Sequence, residues 1–190
     1  VHCDAVQAFG KLPVNFGLLG VDLLSVSAHK LGGPQGVGAL VVRDGLPVSP
    51  LVAGGGQELR RRAGTENVAG VAGFAAAVGA VGRNVAGFKG LQAQLEAVLA
   101  SGPGEITVFS AAVDRLPNTV CFALTGLEAD TALMAFDLDG IAVSSGSACS
   151  SGKVQPSHVL QAMGASETET RSAIRVSLGW SSTVEDVNRF

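Results

Sequence analysis

The chain has 190 residues and a formal net charge of -3, and its 13 Lys and Arg against 16 Asp and Glu give no basic footprint for nucleic acid or an anionic membrane. With 47% hydrophobic and 15% charged residues it is composed as a soluble globular protein able to bury a sizeable core. Three cysteines, an odd count, argue against a disulfide framework and suit a reducing cytoplasm in which one thiol stays free.

At the amino end no charged segment precedes an apolar run, so no signal peptide is read, and Val1-His2-Cys3 looks like the tail of a buried strand. A start inside a strand suggests a chain that begins mid-protein. Asp4 follows that strand with Gln7 one helical turn later, so both side chains can share one side. A second strand-like run, Val21 to Val26, gives way to Ser27-Ala28-His29-Lys30 and then to the Leu31-Gly32-Gly33-Pro34 stop. Two strand ends would thus present Asp4, Gln7, Ser27, His29 and Lys30 to one crevice, as ligand sites in open α/β sheets are built. Lys30 by itself reads as a solvated loop lysine or as an amine desolvated by hydrophobic neighbours, with the lowered pKa that covalent chemistry on carbonyls needs.

Gly36 to Arg43 reads as a buried strand closed by Asp44-Gly45. From Pro47 to Thr65 the pattern is irregular, and Arg60-Arg61-Arg62 is either a solvated charge run or a loop facing a phosphate or a partner. The apolar and small residues from Val68 to Gly82, too short a run to span a bilayer, predict a buried helix capped by Asn67, with glycines permitting close packing. Periodicity restarts at Phe88 and predicts an amphipathic helix through Leu99 with Leu91, Leu95, Val98 and Leu99 inward. A domain boundary is placed here, giving a first domain over 1–86 and a second over 87–190.

In the second domain, strands Ile106 to Phe109, Thr119 to Leu124 and Ile141 to Ser144 and a helix Glu128 to Leu138 give an α+β rhythm. Asp137 and Asp139 mark a helix end, and nothing in the sequence has metal-ligand spacing. The loop Ser145 to Lys153 surrounds Cys149 with Ser, Gly and Ala, none large enough to bury a thiol, whereas Cys3 and Cys121 sit in apolar strand contexts as small core residues. Cys149 is then either an incidental surface thiol or a nucleophile whose thiolate Lys153 favours. Pro156 to Gly164 predicts a short helix with Ser157 as cap and His158 in a structural role. In Ala173 to Leu178 the alternation puts Arg175 opposite Ile174 and Val176, where it forms a surface salt bridge or clamps a carboxylate.

Four motifs in order, Asp4-Ala5-Val6-Gln7, Ser27-Ala28-His29-Lys30, Arg61-Arg62-Ala63-Gly64-Thr65-Glu66-Asn67 and the Ser144 to Gly152 loop, together resemble the cysteine desulfurases of the NifS/IscS type, in the class V aminotransferase group. The resemblance implies an α/β fold, namely the C-terminal part of the large domain of a fold-type-I pyridoxal phosphate enzyme followed by a smaller α+β domain. It implies that Lys30 takes up pyridoxal 5'-phosphate, that Asp4 faces the ring nitrogen, Gln7 the ring hydroxyl, and Ser27 and His29 the phosphate, with Thr65 reaching the phosphate of a neighbouring subunit in a homodimer. It further implies that Arg175 anchors the carboxylate of L-cysteine, that Cys149 receives its sulfur as a persulfide, and that an acceptor such as an iron-sulfur scaffold takes the sulfur on. The family's phosphate loop, ring-stacking histidine and ring-hydroxyl asparagine lie in an N-terminal portion not present in these residues, so these residues alone are expected to bind cofactor poorly and not to turn over. A selenocysteine lyase, an aminotransferase of the same fold, or a silent binding scaffold stay open as alternatives.

Overall fold

The computed structural model describes residues 1–81, 85–146 and 156–190. The chain divides into two compact units, Val1–Val85 and Ala86–Phe190.

In the first unit, β1 (His2–Asp4) runs parallel to β2 (Leu23–Ser27), with His2 opposite Leu23 and Asp4 opposite Ser25. Parallel neighbours need a crossover between them. A turn and the short helix α1 (Phe16–Leu19) supply it, with the Asn15 side chain capping α1 by accepting from the Leu18 amide. β3 (Gly38–Val42) returns antiparallel on the other side of β2. Alternate residues Leu24 and Val26 of β2 point into a small core with Ala5, Ala28 and Phe74.

Two expectations are corrected here. The Gly36 to Arg43 strand forms, but as an edge strand it is largely exposed, with Leu40 half accessible. The helix α2 (Val68–Ala80) also forms, and Asn67 caps it by accepting from the Gly70 amide at 3.0 Å, yet only Gly70 and Phe74 are buried. Its small and apolar residues run all round the axis, and a composition without a polar face does not say which side will be covered. One side is covered closely: a Cβ at Gly73 would come within 2.9 Å of Pro34 Cγ, so the helix can approach the segment after Lys30 only with glycine there.

The second unit opens with α3 (Val85–Ser101), then β4 (Ile106–Val108), β5 (Thr119–Leu124), α4 (Ala129–Leu138), β6 (Ser144–Ser145), α5 (His158–Ala162), α6 (Glu167–Arg171), β7 (Ala173–Ser177) and α7 (Val184–Arg189). The four strands form one antiparallel sheet in the order β4-β5-β7-β6. Leu95 and Leu99 of α3 are fully buried, with Leu91 and Val98 packed beside them, as the periodicity predicts. They meet Val120 and Phe122 of β5 and Ile174 and Val176 of β7 in one continuous core. Phe190 closes it, stacked on Phe136 at 4.9 Å and edge-on to Phe122.

The expected Ile141 to Ser144 strand shrinks to Ser144–Ser145, because β7 offers ladder partners only at Arg175 and Ile174. Capping boxes at Ser166–Glu169 and Thr183–Asp186 start α6 and α7, each satisfying two otherwise orphaned amides. Hydrogen bonds from Ser166 hold the Glu169 carboxyl below its ordinary range. No helix among the described residues is long and apolar enough to cross a membrane.

Candidate functional site

Because β1 and β2 are parallel, their carboxyl ends lie at the same edge of the sheet. Asp4 ends β1 as an exposed residue, and its Oδ1 accepts the Val6 amide at 2.9 Å, which fixes the carboxylate. The chain then turns through Ala5, whose carbonyl accepts from the Ala8 and Phe9 amides, and this turn carries Gln7 with its side chain exposed. Gln7 Oε1 accepts from Lys11 Nζ at 3.0 Å.

β2 ends at Ser27, where Ser27 Oγ and His29 Nδ1 are 2.8 Å apart. The next residues form a 3-10 turn, Ala28–Leu31, pinned by fully buried Ala28, which donates to the Val37 carbonyl at 3.1 Å and accepts from the Gly33 amide at 3.0 Å. With Ala28 as the anchor, His29 and Lys30 project outward. Lys30 is exposed in this chain, so the desolvated setting expected for its amine is not made by the residues around it here. Lys11 is the half-buried lysine of the pair, and burial first, then the neighbouring Lys30 ammonium, holds its amine below the ordinary lysine range.

Thr65 stands exposed in a separate loop of the same unit, just before the Asn67 cap. Its loop is tied down by buried Ala63, whose amide donates to the Val52 carbonyl at 2.8 Å. Glu58, Leu59 and Arg60 all have positive φ, and Arg60, Arg61 and Arg62 are exposed.

Arg175 belongs to the second unit. It sits on β7 between Cys121 of β5 and Ser144 of β6, and its Nε is buried without a hydrogen-bond partner among the described residues. A buried N–H in that state is costly unless an acceptor arrives, and a carboxylate is the natural one for a guanidinium. Beside it, burial pushes the Cys121 thiol up to about 11, with the Arg175 charge opposing, so Cys121 is a protonated thiol near neutral pH and a poor nucleophile. Cys3 and Cys121 are both half-buried. Cys149 and Lys153 lie outside the described residues.

The structure therefore gathers Asp4, Gln7, Ser27, His29 and Lys30 at one sheet edge, keeps Thr65 on a distinct loop, and carries Arg175 on the other unit. Lys11 is the member that inspection of the sequence did not single out; the one signal for it was its spacing of four residues after Gln7. No group of three or more His, Cys, Asp or Glu that could hold a metal occurs among the described residues. The donor set at the edge fits pyridoxal phosphate: a fixed carboxylate for a protonated ring nitrogen, a hydroxyl and imidazole for a phosphate, and a primary amine for a carbonyl carbon.

The family model for class-V aminotransferases matches residues 1–190. A cysteine desulfurase of Cereibacter sphaeroides is 43% identical over 189 residues, which cover 99% of this chain and 49% of that protein. Cysteine desulfurase IscS of Dictyoglomus turgidum is 41% identical, over 98% of this chain and 48% of its own length. Among solved structures, a NifS-like protein from Rickettsia africae superimposes with a TM-score of 0.84 at 40% identity, covering 100% of this chain and 51% of that one. The chain thus spans about half the length of the relatives it matches, and its two units correspond to the fold of that half.

Proposed function

The chain belongs to the class-V aminotransferase family, and from that premise we propose that it serves a pyridoxal phosphate-dependent cysteine desulfurase, which converts L-cysteine to L-alanine and passes the sulfur to Cys149. The observation that carries the reading is the meeting of a fixed carboxylate, a hydroxyl–imidazole pair and an exposed amine at the carboxyl ends of two parallel strands. When bound, pyridoxal phosphate supplies an electron sink that lets bonds at the substrate α-carbon be broken.

The chain's own groups then have distinct tasks. Asp4 holds a proton on the ring nitrogen through its carboxylate. Ser27 Oγ and His29 Nε2 would bond the phosphate oxygens, Nδ1 of His29 being engaged by Ser27. Lys30 would provide the amine that holds the cofactor, and the same amine is placed to act as the base for the substrate α-proton. Arg175 would give its Nε–H, which has no partner among the described residues, to the substrate carboxylate. Cys149, as thiolate, bonds to the substrate sulfur as the carbon–sulfur bond breaks; the carbon skeleton takes up protons and leaves as alanine, and the sulfur stays on the enzyme as a persulfide. Sulfur is oxidised and carbon reduced in the same event, so no outside oxidant is needed.

A homodimer in which Thr65 serves the partner's phosphate, a cytoplasmic setting and a sulfur acceptor such as an iron-sulfur scaffold complete the reading. They are supported by the exposed Thr65 loop and by free thiols. The test is Cys149→Ser in the intact protein. Release of sulfide from L-cysteine in the presence of a reductant is expected to fall by at least about a hundredfold, with cofactor absorbance retained. A variant that keeps its sulfide release would overturn the role of Cys149, and a wild-type protein that forms an oxo acid without sulfide would point to aminotransfer.

A further inference from the structure

An ammonium has hydrogens to give and no lone pair to receive, so a lysine that bonds a primary amide must bond its oxygen. Lys11 Nζ does so with Gln7 Oε1. The oxygen end of the amide is thereby committed to the lysine side, which sets the orientation of the amide, and the two Nε2 hydrogens are the donors Gln7 offers from its exposed place beyond β1. A primary amide with both ends free can turn over and serve a hydroxyl or an oxyanion equally well. A pinned one discriminates.

Lys11 is held in place by more than this one bond. Gly10 beside it has φ +83, and a Cβ there would come within 2.5 Å of Leu31 Cδ2 and 3.2 Å of Val81 Cγ2. The backbone that carries Lys11 is therefore packed against the residue following Lys30. Partial burial weakens the protonation of the Lys11 amine, and the charge of nearby Lys30 adds to that effect.

We infer that Lys11 is a positioning residue that fixes Gln7 with its amide hydrogens outward, so that the β1–β2 edge selects a ligand oxygen able only to accept, the deprotonated ring oxygen of pyridoxal phosphate, over a hydroxyl. The inference rests on the reading of that edge as the pyridoxal phosphate site. Its test uses the intact protein titrated with pyridoxal phosphate, as wild type, Lys11→Met, Lys11→Arg, Gln7→Ala and the Lys11→Met/Gln7→Ala double variant. Two quantities are read: the Kd from the absorbance titration, and the ratio of the cofactor's two long-wavelength bands at one fixed pH, which reports the protonation of the bound ring system.

Lys11→Met is expected to raise Kd roughly fivefold to tenfold and to shift the band ratio toward the hydroxyl form, with Lys11→Arg restoring both. The double variant should be no worse than Gln7→Ala, because Lys11 acts through Gln7. Additive losses, or a Lys11→Met protein with wild-type Kd and bands, would overturn the inference and leave the cofactor reading standing. A wild-type protein that shows no cofactor band would overturn that reading, and this inference with it.

Discussion

The edge of the β1–β2 pair and the core beneath the β4-β5-β7-β6 sheet divide two tasks that proteins often combine. At the edge, Asp4, Gln7, His29 and Lys30 are exposed and rest on a thin apolar backing of Ala5, Leu24, Val26 and Ala28. In the second unit, by contrast, Leu95, Val120 and Ile174 are almost wholly removed from water and belong to one continuous cluster. The difference teaches that the first unit spends its sequence on presenting polar groups, whereas the second is built to hold itself together.

The sharpest way to break that contrast is a pair of truncations. Leu95→Ala should destabilise the second unit by about 2–5 kcal/mol, because a close-packed core relaxes only partly around a deleted side chain. Lys30→Ala, at an exposed position, should change stability by less than about 0.5 kcal/mol. Denaturant melts of the two variants check this, and a Lys30 variant as damaged as the Leu95 one would erase the distinction.

A smaller effect sharpens the same comparison inside the first unit. Gly73→Ala brings a methyl within 2.9 Å of Pro34 Cγ. Overpacking of this kind costs about 1–3 kcal/mol, against about 1 kcal/mol gained in helix propensity, so a net loss is expected in thermal melts. Gly79→Ala, where a Cβ meets nothing within 4 Å, should instead gain stability from propensity alone.

The smallest effect concerns Cys121. Burial raises its pKa to about 11 in the folded protein, above the ordinary thiol value of 9.0. The neutral thiol therefore favours the folded state fully below pH 9, and that contribution fades as pH rises through about 11. Alkylation of Cys121 in the folded protein should accordingly stay slow at pH 8 and accelerate above pH 10, as mass spectrometry of the modified peptide would show.

What could be read from the sequence was what depends on neighbours along the chain. The Asn67 cap, the inward residues of α3, the bounds of β5 and the alternation around Arg175 all follow from local spacing, and each is present. Exposure does not follow from spacing: β3 and α2 have apolar sequences, yet most of their residues face solvent, since coverage depends on what packs from elsewhere. For the same reason the outward placement of Lys30 was not legible, because it comes from Ala28 anchoring the turn beneath it. Lys11 escaped notice because a lysine four residues after a glutamine is ordinary on any surface, and only the packing of Gly10 against Leu31 gives it a fixed place.

The most direct test of the account is borohydride reduction of the intact protein followed by peptide mass mapping. The expected result is a single pyridoxyl phosphate adduct on the peptide containing Lys30. An adduct on a different lysine, or none in a protein that retains its fold, would contradict it.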